Sequence, residues 1–301
     1  MWEAYLKGFK AYLMLERSMS ENTIEAYIHD VVMLRDHLGD AYPGVGVEQI
    51  ELEHLQSLLV NINELGLSAG TQARVLSGIK SFYRYLLLEE VVKKDPTELL
   101  DAPKLRRSLP HVLSLIEIDQ LFAAIDHSTP EGQRNHAMLE TMYSCGLRVS
   151  ELIGLRLSNL YLDVGFVKVI GKGNKERLVP IGEAAVKYIL LYKEHVRVHL
   201  PKIKKGDEDI LFLNRRGGAL SRVMVFMILK DLGVKIGLKQ NIHPHTLRHS
   251  FATHLVEGGA DLRAVQEMMG HKSITTTEIY THLDRGYLRQ TLEKYHPRFR
   301  N

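Results

Sequence analysis

Two prolines bracket the basic stretch Ala102-Pro103-Lys104-Leu105-Arg106-Arg107-Ser108-Leu109-Pro110, with Asp95-Pro96 just ahead of it. Both helical and strand periodicity break there. A run that can continue neither element divides the chain. Residues 1–102 are expected to form one domain, 103–111 a basic linker that crosses phosphates, and 112–301 a second domain. The two sides differ in charge: residues 1–101 carry 9 Lys and Arg against 16 Asp and Glu, and the rest carry 30 against 20. A basic excess of that kind favours a polyanionic partner, although charge alone leaves ordinary surface variation equally open. No apolar run approaches the ~18 residues of a membrane span. The start, Met1-Trp2-Glu3-Ala4-Tyr5-Leu6-Lys7, lacks a signal-peptide pattern, so a cytoplasmic location is expected. The single cysteine, Cys145, excludes an internal disulfide and a thiolate zinc site, and is expected in the core.

The first hundred residues read as helical. Trp2, Tyr5, Leu6, Phe9, Tyr12 and Leu13 recur at helical spacing, as do Ile24, Tyr27, Ile28, Val31, Val32, Leu34 and Leu38, with Ser20 as N-cap. Leu52–Leu65 gives a third helix ended by Gly66, and Ser68 opens a fourth through Val75, Ile79, Phe82 and Leu86. That fourth helix carries Arg74, Lys80 and Arg84, so it reads either as a DNA-contacting helix or as a solvated face. Beyond the linker, helices are expected over Glu117–Ile125 and Glu131–Ser144 and onward from Glu183, Ser221 and Thr246. Gly165–Ile170 and Arg177–Ile181 alternate like two strands joined by Gly171-Lys172-Gly173-Asn174-Lys175-Glu176, a hairpin with Gly-rich turn chemistry. Ile210–Leu213 is expected to add a third strand. The fold class is therefore mainly α with a small antiparallel β-sheet, in two domains.

The chemistry concentrates late in the chain. His245-Thr246-Leu247-Arg248-His249 sets an imidazole and a guanidinium on one helix face, Gly270-His271-Lys272-Ser273 follows, and then comes Tyr280. Upstream, Gly146-Leu147-Arg148-Val149-Ser150-Glu151-Leu152 offers another arginine where a helix begins. Metal-free cleavage of a phosphodiester needs charge balance on the non-bridging oxygens, a nucleophile, and a proton for the leaving oxygen. Arg148 and Arg248 suit the first need, since a guanidinium stays charged and its planar fork fits phosphate. Tyr280 suits the second once nearby cations ease its ionisation, and Lys172 at the hairpin tip suits the third. His245 and His271 can orient the phosphate, and His245 can relay protons.

Taken singly, each piece has a bland reading: a helical tyrosine is usually core, and Gly-Lys-Gly is ordinary turn chemistry. Taken together, the segments Cys145–Leu152, Gly171–Arg177, His245–Leu255 and Met269–Ser273 with Tyr280 resemble those of tyrosine recombinases. The closest resemblance is to the Xer chromosome-dimer-resolution subfamily, leaning to its D-like paralogue, over essentially the whole chain. The family has Leu where Met269 stands, a volume-conserving difference. The resemblance implies that Arg148, Lys172, His245, Arg248 and His271 surround the nucleophile Tyr280. It implies a 3′-phosphotyrosyl DNA intermediate and needs no cofactor or metal. It implies a C-shaped clamp of a helical core-binding domain and a catalytic domain. DNA contacts are expected from Arg74, Lys80, Arg84, Lys104, Arg106 and Arg107. The implied partners are a double-stranded recombination site, a homo- or hetero-tetramer with a related recombinase, and a septal DNA translocase. The tail 281–301 would pack on a neighbouring protomer, with Tyr287, Leu288 and Leu292 as docking residues.

The alternatives are a phage or transposon integrase, a type IB topoisomerase, and a non-catalytic DNA-binding protein. A zinc site from His243, His245, His249 and His254 lacks a carboxylate or thiolate to complete its shell.

Overall fold

Helices dominate the protein, seen here in a computed structural model that describes residues 2–101, 103, 112–171, 173–270 and 285–299. The chain divides into two units, Met1–Ser108 and Leu109–Asn301, each described by itself below. The expected linker lies, apart from Pro103, outside the described residues.

In the first unit the apolar stripes become α1 (Trp2–Leu15), α2 (Glu21–Ala41), α3 (Leu52–Glu64) and α4 (Ala69–Leu88). Phe9, Leu13, Val31, Leu34, Ile62, Phe82 and Tyr83 from all four are buried together. Ser68 caps α4 by accepting from the Thr71 N–H at 3.2 Å. Ser20 stands at the N-cap of α2, but its hydroxyl pairs with that of Thr23 at 2.8 Å instead of capping the backbone. Gly66 takes the left-handed conformation, φ +70°, just past α3, as a helix stop requires. Asp30 of α2 is fully buried against Gly78 of α4, where a side chain would collide with its carboxylate. Arg74 donates to that carboxylate and ties α4 to α2.

The second unit begins with α5 (Leu115–Ala123), whose start is a capping box. The Ser114 N–H donates to Glu117 at 2.8 Å, and the Glu117 N–H donates back to the Ser114 hydroxyl at 3.3 Å. There follow α6 (Pro130–Ser144), α7 (Val149–Ile153), β1 (Leu160–Tyr161), β2 (Phe166–Ile170) and β3 (Glu176–Pro180). Then come α8 (Glu183–His195), α9 (Arg222–Lys235), α10 (Pro244–Glu257), α11 (Leu262–Met269) and α12 (Arg285–Tyr295). The core is built around α6, where the run His136–Ser144 is buried without interruption. Cys145 at its end is fully buried, with its thiol pushed up to about 12 by burial, so it is an inert core group.

The sheet has the antiparallel order β1-β2-β3, with Val167 facing Val179 across the expected hairpin. The third strand is not Ile210–Leu213. Leu211, Phe212 and Leu213 are buried, and their backbone is used elsewhere: Leu211 N–H donates to Leu155 O at 2.8 Å and Leu213 N–H to the Tyr192 hydroxyl at 3.1 Å. Only single bridges form there, Arg156 with Ile210 and Leu213 with Ala219. The two-residue β1 takes the sheet edge instead, too short to show a period.

A second departure concerns the tail. Helix α12 packs on α10, α11 and β3 of its own unit, burying Leu288 and Leu292 and leaving Tyr287 exposed. Two of the three expected docking residues therefore belong to the local core. Past α12, His296 is fully buried, with ring centroids 5.0 Å from Tyr143 and 5.3 Å from Phe251. Among the described residues no helix is long and apolar enough to cross a membrane.

Burial, aided by His254 and Arg298, pushes His296 down to about 3. An imidazole that must stay neutral in the fold binds a proton more readily once unfolded, so its stability contribution is lost as pH falls below ~6.5. Thermal melts taken from pH 7 to pH 5 should show falling stability. His296→Phe should reduce the slope by up to ~1.4 kcal/mol per pH unit. An unchanged slope in the variant would assign the acid sensitivity to other groups.

Candidate active site

The turn between α6 and α7 sets the first arginine. Gly146 adopts φ +59°, and the Leu147 N–H reaches back to Met142 O at 3.1 Å, closing the helix end. A Cβ on Gly146 would stand 2.4 Å from the Phe251 ring, so only glycine fits. Arg148 is thereby delivered to the N-cap of α7. Its backbone N–H donates to Glu151 Oε2 at 2.8 Å and its Nη1 to Glu151 Oε1 at 2.9 Å.

Glu151 is the hub. Its side chain is 1% exposed, yet it receives a bidentate fork from Arg177 of β3, at 2.8 and 2.9 Å, besides the Arg148 bonds. Arg248 of α10 stands 3.9 Å away. Burial alone would raise this carboxyl, but the hydrogen bonds from Arg177 and Arg148 outweigh it and hold the group below its ordinary range. Arg248 is itself buried and donates to Gly146 O at 2.6 Å and to Met269 O. Burial and the neighbouring Arg148 push it down to about 10, which leaves it charged near neutrality.

Three guanidiniums also converge on the end of α11. Arg177 Nε donates to Met268 O at 3.0 Å, Arg248 Nη2 to Met269 O, and Arg148 Nη2 to Gly270 O at 3.1 Å. Successive carbonyls left without helical partners are thus each capped by a different cation. Gly270 makes this possible with φ +65° and no side chain between backbone and guanidinium.

His245 lies one turn before Arg248, in the first turn of α10, with its ring exposed. Partial burial, then His249, Arg248, Arg148 and His243, lower its pKa below the usual histidine value. It is a neutral imidazole facing two arginines, able to accept a proton or donate a hydrogen bond. The structure thus brings Arg148, Arg248 and His245 together. Lys172, His271 and Tyr280 lie outside the described residues, as do Lys104, Arg106 and Arg107. In the first unit, Lys80 donates to Leu100 O at 2.7 Å and Arg74 is engaged with Asp30, while Arg84 is exposed. His254 is buried and bonded to the Tyr143 hydroxyl at 2.8 Å. Among the described residues no three His, Cys, Asp or Glu side chains group as metal ligands.

Sequence reasoning gave Glu151 and Arg177 no role. The signal for Glu151 was its capping-box spacing, three residues after Arg148. Arg177, a charged residue on a short strand beside a Gly-rich turn, carried no distinguishing pattern.

The phage integrase family profile matches residues 111–286, and the N-terminal SAM-like domain of phage integrases matches residues 6–90. The chain is 42% identical to tyrosine recombinase XerD of Staphylococcus aureus over 98% of its own length and 99% of the relative's. It is 43% identical to tyrosine recombinase XerD of Chlorobaculum tepidum over 99% of its length and 97% of the relative's. Among solved structures, it is similar to a XerH site-specific recombinase bound to its difH substrate in a pre-cleavage complex. That likeness has a TM-score of 0.64 and 25% identity, covering 89% of this chain and 78% of the other.

Gly146→Ala should be costly for a defined reason: the added methyl meets the Phe251 ring at a left-handed backbone position. A loss of ~1–3 kcal/mol is expected by thermal melting. Stability within experimental error of wild type would mean the turn can move without disturbing Phe251.

Proposed function

Since this chain belongs to the phage integrase family, as a site-specific DNA recombinase of the Xer tyrosine recombinase subfamily, we propose that it exchanges strands through a 3′-phosphotyrosyl intermediate built by Arg148, Lys172, His245, Arg248, His271 and Tyr280. The observation that carries this reading is the gathering of Arg148 and Arg248 on one buried carboxylate, beside the turn that leads to His271. Two forked cations held rigidly are suited to the two non-bridging oxygens of a phosphodiester, whose charge grows in the transition state.

In this mechanism the Tyr280 oxygen attacks phosphorus and its proton passes to neutral His245. The bond from phosphorus to the 5′-oxygen breaks as Lys172 supplies that oxygen with a proton. The freed 5′-hydroxyl of a partner strand then attacks the phosphotyrosine and releases Tyr280. One phosphoester replaces another at each step, so neither a nucleotide cofactor nor a metal is required.

The substrate is a double-stranded recombination site, bound by a homo- or hetero-tetramer with a related recombinase. The role is resolution of chromosome dimers at cell division in the cytoplasm, with a septal DNA translocase as activator. Support comes from the XerD relatives and from the XerH structure on its DNA site. The linker residues Lys104, Arg106 and Arg107 and, on α4, Arg84 contact the DNA backbone, with Arg74 and Lys80 assisting from the same helix.

The test is a nicked suicide duplex carrying the chromosome's dimer-resolution site. Arg148→Ala and Arg248→Ala should each lower covalent complex formation by at least ~10²-fold while duplex binding survives. Equal loss of binding and cleavage would remove these arginines from the active site. Lys172→Ala should be slow by ~10²–10⁴-fold on ordinary DNA. It should recover where the scissile 5′-bridging oxygen is sulfur, because a thiolate leaves unprotonated. Tyr280→Phe should stay inactive on both. If sulfur leaves Lys172→Ala as slow as before, the lysine is not the proton donor.

A further inference from the structure

Arg177 joins the hub carboxylate Glu151 to the end of α11. It comes from β3, its side chain is 17% exposed, and both its terminal nitrogens are engaged by Glu151. Its Nε–H caps Met268 O at 3.0 Å. Its guanidinium lies flat against Gly270, where a Cβ would stand 3.3 Å from the central carbon. On the other side the same ion pair abuts Gly171, whose Cβ would be 3.5 Å from Glu151 Oε1 and 3.6 Å from Arg177 Nη1. Gly171 and Gly270 immediately precede Lys172 and His271.

We infer that Arg177 is a positioning residue of the recombination reaction, neutralising Glu151 and setting the two backbone turns from which Lys172 and His271 follow. The inference rests on the active site proposed above. Its electrostatic half is simple. Glu151 is needed to hold Arg148 by both backbone and side chain, but an uncompensated carboxylate there would cancel one of the two cations meant for phosphate. Arg177 answers that charge from behind, so Arg148 and Arg248 both keep theirs for the substrate. Its geometric half follows from the fork: a planar, bidentate cation fixes the carboxylate's orientation, which a single ammonium cannot do.

The experiment uses the full chain and the same nicked duplex. Arg177→Met should slow covalent complex formation by ~10²-fold with unchanged duplex affinity, since removing one member of a buried pair leaves the other charge uncompensated. Arg177→Met combined with Glu151→Gln should regain at least tenfold over Arg177→Met, because the neutral pair no longer opposes the arginines while the amide oxygen still accepts from Arg148. A folded Arg177→Met that cleaves at the wild-type rate overturns the inference. So does a double variant no faster than the single, which would make Arg177 a structural or DNA-contact residue. If melting shows that Arg177→Met does not fold, Arg177→Lys decides: slowed cleavage supports the fork, wild-type cleavage rejects it. Arg148→Ala cleaving like wild type would instead sink the active-site reading on which this one stands.

Discussion

One buried carboxylate holds the catalytic unit's site together. Glu151 is almost wholly removed from water, and a lone ion in that position would be strongly disfavoured. It is tolerated because guanidiniums reach it from separate elements: Arg148 at the start of α7, Arg177 on β3 and, at 3.9 Å, Arg248 on α10. The same three cap the end of α11. Helix α7, strand β3 and the α10–α11 pair are thus locked to one another by charge as well as by packing. The excess of cations over carboxylate leaves positive potential for an incoming phosphate, and the low local dielectric strengthens it.

The first unit uses the same kind of interaction for a different end. Asp30, buried beneath Gly78, is answered by Arg74 and fixes how α2 and α4 cross. This pair shows why a count of basic residues along a helix overstates the charge offered to a partner. Arg74 and Lys80 are both engaged inside the unit, and of the three only Arg84 is fully turned to solvent.

Much of the fold is legible in the sequence because helical periodicity is long-ranged and redundant: the four stripes of the first unit become four helices, and the Gly-rich turn becomes the hairpin. Arg148, Arg248 and His245 stand out in the sequence as members of motifs, and the fold brings the three side chains together. What fails is instructive. Ile210–Leu213 looks like a strand because it is apolar, but burial can be achieved by single bridges and side-chain partners as well as by a ladder. Leu288 and Leu292 look like docking residues because they are apolar at helical spacing, a pattern that cannot say which surface receives them. Glu151 is legible only as a capping-box residue, and Arg177 escapes notice because its contact with Glu151 spans 26 residues of chain, a range at which no local pattern encodes a partner.

The seating of the last helix has a consequence for synthesis. Leu288 and Leu292 are buried in the core of this unit and His296 stands beside Tyr143 and Phe251, and Phe251 in turn wedges the turn that presents Arg148. A nascent chain that has already made Tyr280 still lacks that filling. The enzyme's interior therefore closes only after residues 288–296 have been made, so a chain stalled or clipped short of them carries the proposed nucleophile on an unfinished frame. Completeness of the polypeptide is in this way a physical precondition for a tightly framed cutting site.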